Sequence, residues 1–108
     1  MIFEQLFDEK SSTYTYIISS GKGREGLIID PVIENTDIYL KFMNSMDLKL
    51  VKVIDTHIHA DHITGLNELH KRTNCLKIMG ENSKSEVIDL RVKENDKINI
   101  ENLELKTI

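Results

Sequence analysis

Apolar and polar positions alternate loosely from Ile2 to Phe7, and Thr13 to Ile18 (TYTYII) are β-branched or aromatic throughout. Such residues suit a pleated, half-buried surface, so the two runs and the polar turn from Glu9 to Ser12 predict an opening hairpin. Gly21, Gly23 and Gly26 punctuate a second turn ahead of Leu27 to Ile29, a short apolar run of buried-strand type closed by Asp30 and Pro31. No Lys-Ser/Thr pair follows these glycines, which points to an ordinary turn and not a phosphate loop.

The period then changes. Asn35 or Thr36 can cap a helix in which Ile38, Phe42 and Met46 recur at i, i+4 and i+8, with Leu40 and Met43 widening the stripe. Leu48, Leu50, Val51, Val53 and Ile54 follow as a strand apolar on nearly both sides, the pattern of an interior strand covered by a helix. Thr64 or Gly65 opens a second helix through about Thr73, with Ile63, Leu66, Leu69 and His70 on or near one face. Lys77 to Met79 read as a short strand. From Glu81 onward, an irregular segment containing Val87, Ile88, Leu90 and Val92 precedes two strands around a turn at Glu101 and Asn102. The fold class is α+β (mixed α/β), a mixed sheet with two helices, and residues 55–62 fall at the carboxyl end of an interior strand, where sites in layered sheets lie.

Composition narrows the function classes. A chain of 108 residues, 40% hydrophobic and 30% charged with one Pro, is one globular domain and not a disordered segment. Lys and Arg number 14 against 18 Asp and Glu, and the basic residues are scattered, so a nucleic-acid footprint is not expected. MIFEQLFDEK lacks a basic region followed by an apolar one, and no apolar run reaches membrane-span length; a cytoplasmic location is the expectation. The single cysteine, Cys75, cannot form an intramolecular disulfide and is expected to be a small buried hydrophobe where the second helix gives way to a strand.

Three of the four histidines fall in one six-residue window, His57, His59 and His62, with Asp61 between them. Imidazole and carboxylate are ligand types that Zn²⁺ and Fe²⁺ accept. In an extended stretch alternate side chains share a side, so His57 and His59 can converge on one ion while Asp61 and His62 point toward a neighbouring position. His70 stands apart on the second helix and is expected to be an ordinary, partly exposed helical histidine.

The string THIHADHITG resembles the signature of the metallo-β-lactamase superfamily, which includes glyoxalase II. FDEKSSTYTYIIS, LIIDPV and THIHADHITG together resemble the persulfide dioxygenase (sulfur dioxygenase) branch, and the similarity covers the whole chain. What the resemblance implies is the N-terminal half of an αββα sandwich, residues 1–108 forming a truncated domain of that kind. In the dioxygenase branch a mononuclear iron oxidises glutathione persulfide to sulfite and glutathione. There the first histidine of the motif is a ligand, which carries over to His57, and a later histidine and aspartate complete the set. In hydrolase branches such as glyoxalase II, two zinc or mixed ions are held, one by His57 and His59 and the other by Asp61 and His62.

Both kinds of site draw ligands from the second half of the family fold, so iron or zinc would find an incomplete site here, and an isolated chain is expected to be inactive. The apolar inner face of the sheet is likewise expected to need cover from a complementary C-terminal chain or from a second copy in a homodimer. A glutathione-derived substrate is expected only if the site is completed. A thioester hydrolase half and a non-catalytic dimerising module remain the alternatives.

Overall fold

The structure, a computed structural model, describes residues 1–56, 60–80, 90–92 and 96–106. Strands β1 (Ile2–Asp8) and β2 (Thr13–Ser19) form the expected hairpin, and β3 (Glu25–Ile29) continues it antiparallel. A 3-10 turn (Ile33–Asn35) leads into α1 (Thr36–Ser45), β4 (Lys49–Asp55), α2 (Ala60–Thr73) and β5 (Leu76–Gly80). Strand β6 (Leu90–Val92) follows, then a separate antiparallel hairpin of β7 (Lys97–Ile100) and β8 (Leu103–Lys106). The main sheet runs in the order β1-β2-β3-β4-β5-β6, with β3 to β6 parallel. It is the mixed sheet with two helices that the pattern predicts.

Parallel neighbours need crossovers, and β3-α1-β4 and β4-α2-β5 both step in the same direction across the sheet. Such connections are right-handed almost without exception, so both helices land on one face. There Tyr39 and Met43 of α1 and Leu66 and Leu69 of α2 pack with Ile17, Ile28, Leu50, Val53 and Met79. Cys75 is buried in the same cluster, as expected.

The opposite face is built from Ile18, Leu27, Ile54, Ile78 and Val92, and the β7–β8 hairpin lies on it through Ile98 and Ile100. Glu25 and Glu101 fasten the hairpin: each backbone N–H donates to the other residue's carboxylate, at 3.2 and 3.0 Å. Ser20 Oγ donates to the Glu101 carbonyl at 2.8 Å, and the Lys52 ammonium donates to the Asn99 carbonyl. The chain thus covers the middle of its own inner face, where the sequence suggested no cover at all. Among the described residues, the exposed part of this face includes Phe3 (56% exposed), Phe7 (51%) and Tyr14 (50%) on the side of β1. Phe3 pairs with Ile18 and Phe7 with Tyr14 across the hairpin, so these rings continue the hairpin-covered face.

Four local expectations change. Helix α1 buries Tyr39 and Met43 while Ile38 is 55% exposed, because the buried stripe is centred on a tyrosine whose hydroxyl is hydrogen-bonded. Gly26 belongs to β3 and not to the turn; a Cβ there would stand 3.0 Å from Met43 Cε, so its absence lets α1 settle on the sheet. Helix α2 starts at Ala60, ahead of the expected Thr64 or Gly65, which puts the backbone of Asp61 and His62 in its first turn. Leu90–Val92 extends the main sheet within a segment that read as irregular; the rest of 81–95, apart from 90–92, lies outside the described residues.

Candidate metal centre

The motif occupies the connection between β4 and α2, at the carboxyl edge of the parallel part of the sheet. His57 and His59 lie outside the described residues, and Asp61 and His62 are placed by their helical backbone. The residues on either side show how this segment is seated.

Asp30 follows β3 with φ 55°, a left-handed conformation that aspartate tolerates better than most residues. Its N–H donates to the Ile54 carbonyl at 2.7 Å, tying the end of β3 to β4. Its carboxylate then accepts twice from Thr56: the N–H reaches Oδ1 at 2.6 Å and Oγ1 reaches Oδ2 at 2.5 Å. Hydrogen bonds to an ionised acceptor are roughly twice as strong as neutral ones, so this is a firm hold on the residue immediately before His57.

A buried relay fixes Asp30 from behind. Thr15 Oγ1 donates to the Asp30 carbonyl at 2.7 Å, which commits the threonine hydrogen. The Tyr39 hydroxyl, 3.1 Å away, must then donate to Thr15 while accepting the Val32 N–H at 2.9 Å. The chain runs from Val32 N–H through Tyr39 and Thr15 to the Asp30 carbonyl, and every hydroxyl in it both gives and takes.

On the far side of the motif, Gly65 lies against the same loop. A Cβ at position 65 would meet the Pro31 carbonyl oxygen at 2.8 Å, closer than real Cβ atoms come. The glycine at the end of THIHADHITG is therefore where α2 touches the Asp30–Pro31 segment. Asp55, the last residue of β4, is buried immediately before Thr56.

His70 does not join this group. Its Nδ1 is 2.7 Å from the Cys75 carbonyl, closing the end of α2, and along a helix it stands about 12 Å beyond His62. Among the described residues no set of three His, Cys, Asp or Glu side chains gathers to hold a metal, and no helix is long and apolar enough to cross a membrane. The donor set His57, His59, Asp61 and His62 is in kind one that a divalent transition metal accepts, and its flanks are fixed at Thr56 and Gly65.

The seat was missed where the motif was found. Asp30, Thr15 and Tyr39 carry no metal-ligand spacing; the available signal was an aspartate ending a buried apolar run, LIID, beside a strand that leads into the histidines.

Comparison with known proteins places this arrangement. Over 108 residues the chain is 34% identical to mitochondrial persulfide dioxygenase ETHE1 of Mus musculus, covering 99% of this chain and 42% of that protein. It is 28% identical over 95 residues to a hydroxyacylglutathione hydrolase of Dictyostelium discoideum, covering 88% of this chain and 35% of that one. Among solved structures, ETHE1 from Myxococcus xanthus superposes with a TM-score of 0.88 at 40% identity, over 98% of this chain and 47% of the other. A metallo-beta-lactamase from Staphylococcus aureus gives 0.82 at 26% identity, over 97% and 32%. The chain thus spans less than half the length of each of these relatives. With the family profile matching residues 9–99 as well, the chain belongs to the metallo-beta-lactamase superfamily.

Proposed function

We propose that these 108 residues form the first-motif half of a persulfide dioxygenase-type metal site, with His57 as an iron ligand. The observation that carries this reading is the 40% identity and TM-score of 0.88 to ETHE1 from Myxococcus xanthus across 98% of the chain. The histidine motif alone does not distinguish the dioxygenase from the hydrolase branch, whereas similarity along the whole chain favours the former. Iron, when bound, supplies the redox chemistry. This chain's part is to hold His57 and its neighbours at the end of β4, through the Asp30–Thr56 contact.

Because the chain matches under half of its relatives, the remaining ligands and the glutathione-recognising residues come from protein beyond these 108 residues, on the same polypeptide or another. By themselves the 108 residues bind Fe²⁺ or Zn²⁺ weakly, since a catalytic site of this kind needs three protein ligands. The open Phe3, Phe7 and Tyr14 stripe is the surface through which additional protein, or a second copy, packs.

Anaerobic titration with Fe²⁺ and Zn²⁺, followed by assay with glutathione persulfide and with a glutathione thioester, tests the reading. Weak uptake that His57→Ala reduces, with no turnover by a monomer, is the expected result. Thioester hydrolysis accompanied by uptake of two zinc ions that Asp61→Ala abolishes would transfer the assignment to the hydrolase branch.

A further inference from the structure

We propose that strand β1 is an assembly edge whose partner is a second copy of this chain, joined to it antiparallel with Gln5 on the two-fold axis. The inference rests on the assembly role given above to the Phe3, Phe7 and Tyr14 stripe, and it is independent of the metal site.

Among the described residues, β1 ends the main sheet, with β2 on one side and no strand on the other. All seven of its residues pair with β2 without a break in register, so its free side is a straight template for another strand. Sheet edges are commonly blunted by Pro, Lys or a bulge, and IFEQLFD contains none of these. Its two acids, Glu4 and Asp8, share the helix-covered face with Leu6, while Phe3, Gln5 and Phe7 are exposed on the other.

The sequence of β1 selects the register. A two-fold axis joining two antiparallel edges stands perpendicular to the sheet, so the helix layers of both copies share one side and opposite residues have equal parity. Centring on Glu4 would set the two Glu4 carboxylates against each other, and centring on Leu6 would set Glu4 against Asp8 of the second copy. Like charges directly opposite are destabilising. Centring on Gln5 avoids both: Glu4 faces Leu6 and Asp8 faces Ile2, with the Asp8 carboxylate already held by Ser11 and Asn35 of its own chain. On the exposed face each Phe3 then meets Phe7 of the second copy. Within one chain the rings are already in contact, Phe3 with Tyr16 at 5.5 Å and Phe7 with Tyr14 at 4.7 Å between centroids. Pairing joins them into two rows of Tyr16, Phe3, Phe7 and Tyr14, half from each copy, and aromatic cross-strand pairs stabilise a sheet. Cover by some other protein would need no such self-complementarity in β1.

Gln5 is exposed, so a charge placed there leaves the fold of a single copy intact. At micromolar concentration the parent chain should sediment as a dimer. Gln5→Lys and Gln5→Glu each set like charges across the axis and should weaken the dimer about threefold, whereas an equimolar mixture of the two should restore it as mixed dimers. Gln5→Cys, oxidised with diamide, should cross-link at the axis, while the buried Cys75 stays out of the reaction. Tyr14→Cys should not cross-link, because it lies three strand spacings, about 14 Å, from its counterpart. A monomeric parent chain overturns edge pairing and leaves the stripe to other protein. A dimer that Phe3→Ser with Phe7→Ser dissolves, but that ignores the charge at Gln5 and cross-links through Tyr14→Cys, also overturns it: the assembly role of the stripe then stands, with two faces stacked and no strands paired.

Discussion

Two connections leave the carboxyl edge of the sheet, one after β3 and one after β4, and each leads into a helix on the same face. The first, Asp30–Val32, turns its polar groups inward: its carbonyl, its amides and its carboxylate are matched by Thr15, Tyr39, Ile54 and Thr56. The second leads from Thr56 through the sequence of His57 and His59 into α2, whose first turn holds Asp61 and His62. One connection is complete within the chain, and its Asp30 also holds Thr56 at the start of the other.

The harshest way to break this arrangement is at the point where α2 meets the first connection. Gly65→Val pushes a branched side chain into the Pro31 carbonyl, where even a Cβ would stand at 2.8 Å. Gains in helix propensity are small beside a backbone clash of this kind, and a loss of about 3 kcal/mol in urea unfolding is expected.

Next in size is the open aromatic stripe, which neither turn touches. Burying a large apolar side chain contributes about 1.5–3 kcal/mol, so Phe3 and Phe7 together can support association. Sedimentation at micromolar concentration should show a self-associating species that the double change Phe3→Ser, Phe7→Ser returns to monomer. A parent chain that stays monomeric and binds no hydrophobic dye would remove the stripe's role in assembly.

Tyr39→Phe attacks the inward turn alone. It strands the Val32 N–H in a buried position and takes the donor from Thr15, for a cost of about 1–3 kcal/mol. His57→Ala is the counterpart in the connection after β4. It should leave metal-free stability within about 0.5 kcal/mol while lowering metal uptake, and equal destabilisation by both substitutions would erase the contrast between the turns.

The smallest effect concerns the approach to the first turn. Asp8 accepts from Ser11 Oγ at 2.7 Å, from Ser11 N–H at 2.9 Å and from Asn35 Nδ2 at 3.1 Å, the last linking the β1–β2 turn to the start of α1. These donors, led by the Ser11 hydroxyl, favour the ionised carboxylate and hold it below its ordinary range. A lowered folded value means the contribution is present above the ordinary aspartate range and is lost as pH falls through and below it. Urea midpoints measured from pH 6 downward should fall slightly more for the parent chain than for Asp8→Asn.

The sequence made some of this legible and hid the rest for physical reasons. TYTYII and the opening alternation predicted β1 and β2, because hairpin strands carry their burial in a period of two. Interior β4 was equally plain from its two-sided apolarity. Helix α1 was found but turned: its aliphatic residues suggested Ile38, whereas Tyr39 occupies the core since the relay satisfies its hydroxyl. Gly65 looked like a helix opener because glycine lowers helix propensity; its place within α2 answers to a carbonyl on another element, which no local window contains. Asp30 was hidden for a related reason, since its work depends on a partner 26 residues away. The motif itself stood out because metal chemistry restricts both residue type and spacing.

The reciprocal Glu25–Glu101 clasp has a consequence for the order in which the molecule comes together. It joins residues 76 apart, so it closes the chain on itself across four of the six strands of the main sheet. By loop-closure scaling, bringing such distant points together costs about 2 kcal/mol more than closing a ten-residue hairpin. Strands β1 to β5 can pair through much shorter connections, which makes docking of the β7–β8 hairpin the late event. On the ribosome the delay is absolute: until residues 97–106 have emerged, Ile18, Leu27, Ile54 and Ile78 have no hairpin to meet them. The nascent chain passes through a stage at which its helix-covered face is finished and its other face is bare, and that stage is the one a chaperone would have to guard.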